Sequence, residues 1–169
     1  EDGGSRLPLS FAQQRLWFLD RLDPGSPLYN LPVAMRLEGR LDVPALQRSL
    51  AEIIRRHEAL RTTFGTVDGE PVLFIAAPDA AEDIARLPVS DLSALPAEQQ
   101  ARKARDITET EVTAAFDLAE GPLVRGRVIR FAPDDHLVLL NMHHIVSDGW
   151  SLGVLTRELA ALYAAFTAG

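Results

Sequence analysis

The residues of this 169-residue chain best suited to chemistry are two adjacent histidines followed by an aspartate and a glycine, in Met142-His143-His144-Ile145-Val146-Ser147-Asp148-Gly149-Trp150. Imidazole is the side chain that exchanges protons near neutral pH. A pair of them at the end of an apolar run, just before a helical pattern, combines a rigid mount with an adjacent helix N-terminus. The dipole there disfavours the imidazolium and so suits a neutral acceptor or base. Gly149 would permit close approach of backbone or substrate. Asp148, four residues beyond His144, would hold the loop through a buried ion pair. Plainer roles stand beside these. Asp148 or Ser147 would equally serve as the N-cap of the last helix, and His143 and His144 as hydrogen-bonded strand-end residues. A metal site from His143, His144 and Asp148 requires the strand to break, because neighbouring strand residues face opposite ways. His57 falls on the apolar stripe of a helix and reads as a core histidine with one hydrogen bond. His136 begins a strand after a turn and reads as exposed.

The elements that must position these residues follow from periodicity. Ser10, with Gln13 three residues on, makes a capping-box pattern for a helix that Asp23-Pro24-Gly25 stops. Residues 31–38 read as a strand. Asp42 caps a second helix with the stripe Leu46, Leu50, Ile53, His57 and Leu60. Asp68-Gly69, between Thr62–Val67 and Glu70–Ile75, marks a tight hairpin. A more polar helix spans Pro96 to Phe116. A second hairpin has arms Leu123–Phe131 and His136–His143, the run Leu137–Leu140 being apolar enough for cover on both faces. The last helix starts near Gly149, with Leu155, Leu159, Leu162 and Phe166 on one side. Residues 1–8 read as a linker. No repeat is present, and the class is α/β (an α+β sandwich) with a mixed sheet.

Composition narrows function. The chain is 47% hydrophobic and 24% charged, which suits a folded domain rather than a disordered one. A net charge of -7 disfavours general nucleic-acid binding, since phosphate repulsion has nothing to offset it. There is no cysteine, hence no disulfide framework or thiolate chemistry. Of the 17 Lys+Arg only Lys103 is lysine, a bias that fits a GC-rich genome. The longest apolar run, Leu159–Phe166, is short for a membrane span, and the first residues do not read as a signal sequence; a cytoplasmic protein is the expectation. The terminal Gly3-Gly4 does not make a phosphate-binding loop, and no cofactor is implied.

His143-His144-Ile145-Val146-Ser147-Asp148-Gly149 resembles the HHxxxDG signature of the condensation domains of nonribosomal peptide synthetases, members of the chloramphenicol-acetyltransferase-like acyltransferases. Two further stretches resemble that family's other motifs in the same order: Ser10–Leu19 (SFAQQRLWFL) and Arg56–Phe64 (RHEALRTTF). Phe116-Asp117-Leu118 and Gly121-Pro122-Leu123 resemble the sequence ahead of the family's catalytic strand. The histidine pair does not fit cyclisation domains, which carry aspartates there. Trp150-Ser151-Leu152 favours condensation over epimerisation, and the first motif resembles the type that accepts L-configured donors.

The resemblance implies one lobe of a two-lobe fold, residues 9–169 forming the N-terminal lobe and the C-terminal lobe lying outside this sequence. It implies amide formation between a donor acyl or peptidyl thioester and an aminoacyl acceptor, each tethered by phosphopantetheine to a carrier protein, with an adjacent adenylation domain in the parent chain. His144 would act nearest the reaction, by positioning the amine and assisting proton removal. His143 would be structural. Asp148 would turn from the cleft and pair with Arg56, Arg61 or Arg15, in that order. The lobe alone would be inactive. The competing functions are a non-catalytic module that docks carrier proteins or a neighbouring domain, and a fragment of an ester-forming HHxxxDG acyltransferase.

Overall fold

The computed structural model describes residues 7–168. Its elements run β1 (Leu7–Pro8), α1 (Phe11–Leu22), β2 (Asn30–Glu38), α2 (Val43–Arg56), β3 (Thr62–Val67), β4 (Glu70–Ile75), α3 (Ala81–Ile84), β5 (Val89–Asp91), α4 (Ala97–Thr113), β6 (Val124–Ala132), β7 (Asp135–His143) and α5 (Gly149–Ala168). Short 3₁₀ turns occupy Pro27–Tyr29, Glu58–Arg61 and Pro78–Ala80.

The strands form two sheets. One is three-stranded and antiparallel, in the order β1-β4-β3; the other is four-stranded, in the order β2-β7-β6-β5. Only β5 runs parallel to its neighbour, β6, so the larger sheet is mixed. The chain is therefore α/β with helices layered on a mixed sheet, as the alternation of patterns indicates, but the division into two sheets has no signature in the sequence. Of the stretch read as a linker, Leu7–Pro8 pairs with Leu73 and Val72 of β4, and residues 1–6, including Gly3-Gly4, lie outside the described residues.

Local chemistry sets the element ends. Ser10 and Gln13 form a complete capping box. Asp42 accepts from the Ala45 N–H at 2.9 Å and starts α2. Asp68 and Gly69 take φ of 53° and 85°, the left-handed conformation that a two-residue hairpin turn needs. The stripe of α2 buries Leu46, Leu50, Ile53 and Ile54 against β6, β7 and α5. Helix α2 stops at Arg56, so His57 is its C-cap residue and not a core histidine; its Nε2 lies 3.0 Å from Glu158 and its ring is partly exposed. His136 corrects the opposite way. It is only 1% exposed, because strand alternation puts it on the same covered face as Val138, Leu140 and Met142.

The central strand β7 is covered on both faces. Val138, Leu140 and Met142 face α2 and α5, while Leu139 joins Ile129, Leu92 and Ala104 beneath α4. A second core packs Phe64, Leu73, Phe116, Leu118 and Leu123 between the small sheet and α1.

Candidate active site

The site is the loop from the end of β7 to the start of α5. His143 is the last strand residue, opposite Asn30 of β2. It is 2% exposed and shares its face with Asn141, under the C-terminal end of α4. The Phe116 ring meets it edge-on at 6.1 Å, and Tyr29 lies at 6.2 Å. Its Nδ1 accepts the Ile145 backbone N–H at 3.1 Å, so the ring's proton sits on Nε2. Burial, and secondarily the neighbouring His144, push its pKa down to about 4. His143 is thus a neutral bracket for the turn.

The chain then kinks. Ile145 and Val146 are buried in the second core, and the His144 backbone N–H donates to the Tyr29 carbonyl at 2.8 Å. Anchored on both sides, His144 itself is exposed. Its Nδ1 lies 2.9 Å from the Ser147 carbonyl. A carbonyl only accepts, so Nδ1 carries a proton, and in the neutral ring Nε2 presents a lone pair. The ring lines a cavity of about 300 Å³ whose opposite wall is the start of α1, with Ser10, Gln13 and Leu16 facing Asp148 and Ser151. The arrangement can accept a proton, or a hydrogen bond, from a nucleophile entering the cavity.

The two rings do not converge: His143 points into the fold and His144 is exposed. Among the described residues no group of three or more side chains could hold a metal ion.

Asp148 does not form the expected ion pair. It is exposed, and it caps α5 reciprocally with Ser151: the Ser151 N–H donates to Asp148 Oδ1 at 2.8 Å, and the Asp148 N–H donates to Ser151 Oγ at 2.9 Å. Those hydrogen bonds, from the Ser151 hydroxyl first, hold its carboxyl below the ordinary range. The arginines proposed for it are used elsewhere or remain at the surface. Arg56 pairs with Glu52 at 2.6 Å. Arg61 is buried, donating to the Ala76 carbonyl and to Glu58. Arg15 is exposed and makes no ion pair among the described residues. A helix N-terminus with four free N–H groups is the nearer partner for a short carboxylate, and the N-cap role wins. At Gly149 a Cβ would meet nothing within 4 Å, so no other described part of this chain approaches it closely. The sequence reading missed the wall that faces His144. Gln13 reads there as a capping residue and as part of the SFAQQRLWFL motif, with no role at the site, and nothing in a linear pattern brings α1 beside residue 144.

Under α4, four carbonyls at and just past its C-terminal end are met by side chains from the sheet. Asn30 Nδ2 donates to Val112 at 2.7 Å and Ala114 at 3.0 Å, Asn141 Nδ2 to Glu111 at 2.7 Å, and Arg125 to Ala114 and Ala115. The Arg125 guanidinium also stacks 3.8 Å above Phe116, the ring that contacts His143.

Comparison with known proteins gives one consistent answer. A family model described as Condensation domain matches residues 5–169. A linear gramicidin synthase of Brevibacillus parabrevis is 50% identical over 162 residues, which cover 96% of this chain and 3% of that protein. The phosphinothricin tripeptide synthetase PhsC of Streptomyces viridochromogenes is 42% identical, covering 99% of this chain and 15% of its own length. Among solved structures, the starter condensation domain of the rhizomide synthetase RzmA superposes with a TM-score of 0.86 at 25% identity, over 98% of this chain and 38% of that one. The first condensation domain of the calcium-dependent antibiotic synthetase, in complex with a substrate analogue, matches with a TM-score of 0.80 at 26% identity, over 92% of this chain and 36% of its own. The chain thus spans a small fraction of its curated relatives and over a third of these solved chains.

Proposed function

The chain belongs to the condensation-domain family, and from that premise we propose that it supplies the histidine wall of a site that forms amide bonds between two carrier-bound substrates. The donor is an acyl or peptidyl thioester and the acceptor an aminoacyl group, each on the phosphopantetheine arm of a carrier protein, which makes that arm a substrate tether and not a cofactor of this chain. A second lobe and an adjacent adenylation domain complete the assembly in a cytoplasmic parent synthetase.

One observation carries the reading: His144 is exposed beside a cavity with Nδ1 held by Ser147, which leaves Nε2 as an acceptor. The acceptor amine's nitrogen lone pair attacks the thioester carbonyl carbon, and the carbonyl π pair moves to oxygen. As the tetrahedral adduct collapses, the C–S bond breaks and the pair leaves on sulfur. The proton lost by nitrogen passes through His144 Nε2 to the thiolate, and the carrier is released as its thiol. An α-amine with a pKa near ~8 is already partly neutral in the cell, so His144 acts mainly by orienting it, with proton removal as assistance. Large apolar side chains exposed on this chain, among them Phe11, Phe18, Leu22, Leu28 and Trp150, support the reading that a second lobe covers part of its surface.

The test is product formation by the intact two-lobed domain with both loaded carriers. His144→Ala is expected to lower the rate about 10²–10⁴-fold and to alter the pH–rate profile. A wild-type rate overturns the reading. A slower rate with the profile unchanged removes the proton-transfer role and leaves positioning. The lobe alone is expected to give no product until the missing lobe is added.

A further inference from the structure

The cavity beside His144 holds a hydrogen-bond donor that the reaction described above leaves unused. Gln13 sits at the third position of α1, where its Oε1 accepts the Ser10 backbone N–H at 2.9 Å. An N–H can only donate, so the oxygen of the Gln13 amide faces Ser10 and Nε2 is the opposite end. The capping box is closed from a second side too, because the Gln13 backbone N–H donates to Ser10 Oγ at 3.3 Å. No protein group among the described residues accepts from Nε2, and Gln13 lines the same cavity as His144.

Addition of an amine to a thioester needs two complementary partners, an acceptor for the N–H and a donor for the oxygen that gains the electron pair. His144 Nε2 is the acceptor. Four backbone N–H groups of the loop are already committed: those of His144, Ile145, Val146 and Asp148 are bonded to the Tyr29 carbonyl, His143 Nδ1, the His143 carbonyl and Ser151 Oγ. The geometry points to Gln13 Nε2 as the donor to the thioester oxygen as its charge develops. The capping box thereby does two things with one side chain: Oε1 starts α1, and Nε2 stabilises the oxyanion from the wall facing the histidine. Rigidity is the reason this side chain suits the role, since a donor fixed before reaction needs no reorganisation when charge appears.

This assignment rests on the amide-forming reading, and the experiment separates the two. In the intact two-lobed domain with loaded carriers, Gln13→Glu retains the capping-box acceptor, which glutamate supplies as well as glutamine, and deletes the donor. The expected result is a melting temperature like that of the wild type and a kcat lower by about 10²–10³-fold, with KM changed by less than about threefold. Gln13→Met, similar in volume, is expected to lose as much kcat and also to melt earlier, because the cap is gone. A natively melting Gln13→Glu with kcat within about threefold of wild type overturns the assignment. If His144→Ala is inactive in that same preparation, only the donor role fails. If both variants are fully active, the amide-forming reading fails with it.

Discussion

His143 and His144 are neighbours in the chain and occupy opposite environments: the first ring is buried with its Nδ1 on the Ile145 N–H, the second is exposed with its Nδ1 on the Ser147 carbonyl. The two hydrogen bonds put Nδ1 in opposite roles, acceptor in His143 and donor in His144, so one ring is a fixed bracket and the other is left with Nε2 exposed to the cavity side of the loop. Strand alternation begins this division, and the kink held by Ile145 and Val146 completes it.

The buried ring predicts a pH dependence of stability. His143 titrates at about 4 when folded and near ~6.5 when unfolded. Between those values the unfolded chain binds the extra proton, so its contribution is complete above the unfolded pKa and is lost as pH falls through this window. The loss is on the order of 3 kcal/mol. Denaturant midpoints measured from pH 7 to pH 4 should fall for the wild type, with a shallower slope for His143→Gln.

Asp148 predicts a contrast between variants. Asp148→Asn keeps an oxygen for the Ser151 N–H and should preserve stability and loop structure, at any ionic strength. Asp148→Ala loses the cap and should melt earlier. An ion pair to an arginine would make the asparagine variant as unstable as the alanine one, which thermal melts at low and high salt distinguish.

The close contact of β6 with its cover predicts a steric penalty. A Cβ at Gly126 would stand 2.4 Å from Leu87 Cδ2 and 2.9 Å from Leu140 Cδ2, both within the main core. Gly126→Ala should destabilise by about 1–3 kcal/mol in chemical denaturation. Adding Leu87→Ala should recover part of that, since the nearer of the two clashing side chains is removed.

The link between α4 and the sheet predicts a cost at a distance from His144. Asn141→Leu removes the donor to the Glu111 carbonyl and leaves that helix end short of a partner. Stability should drop by about 1–3 kcal/mol. Hydrogen exchange should rise first in the last turn of α4, ahead of any change in α5.

The helices and hairpins were legible in the linear chain, because capping boxes, Asp68-Gly69 and apolar periodicity are local signals that neighbouring residues satisfy. So was the candidate site, and with it the family, through HHIVSDG in company with two other motifs. What surrounds each group came from packing. Asp148 caps its own helix because free N–H groups three residues away outcompete a guanidinium across the fold; His57 is exposed because α2 stops at Arg56, short of the stripe read through Leu60, and His136 is buried because strand alternation puts it on the face of Val138 and Leu140. The wall opposite His144 comes from α1, more than a hundred residues earlier in the chain, and no pattern in the intervening residues records that the two meet. Proximity between distant segments is set by the sum of many weak contacts rather than by any motif.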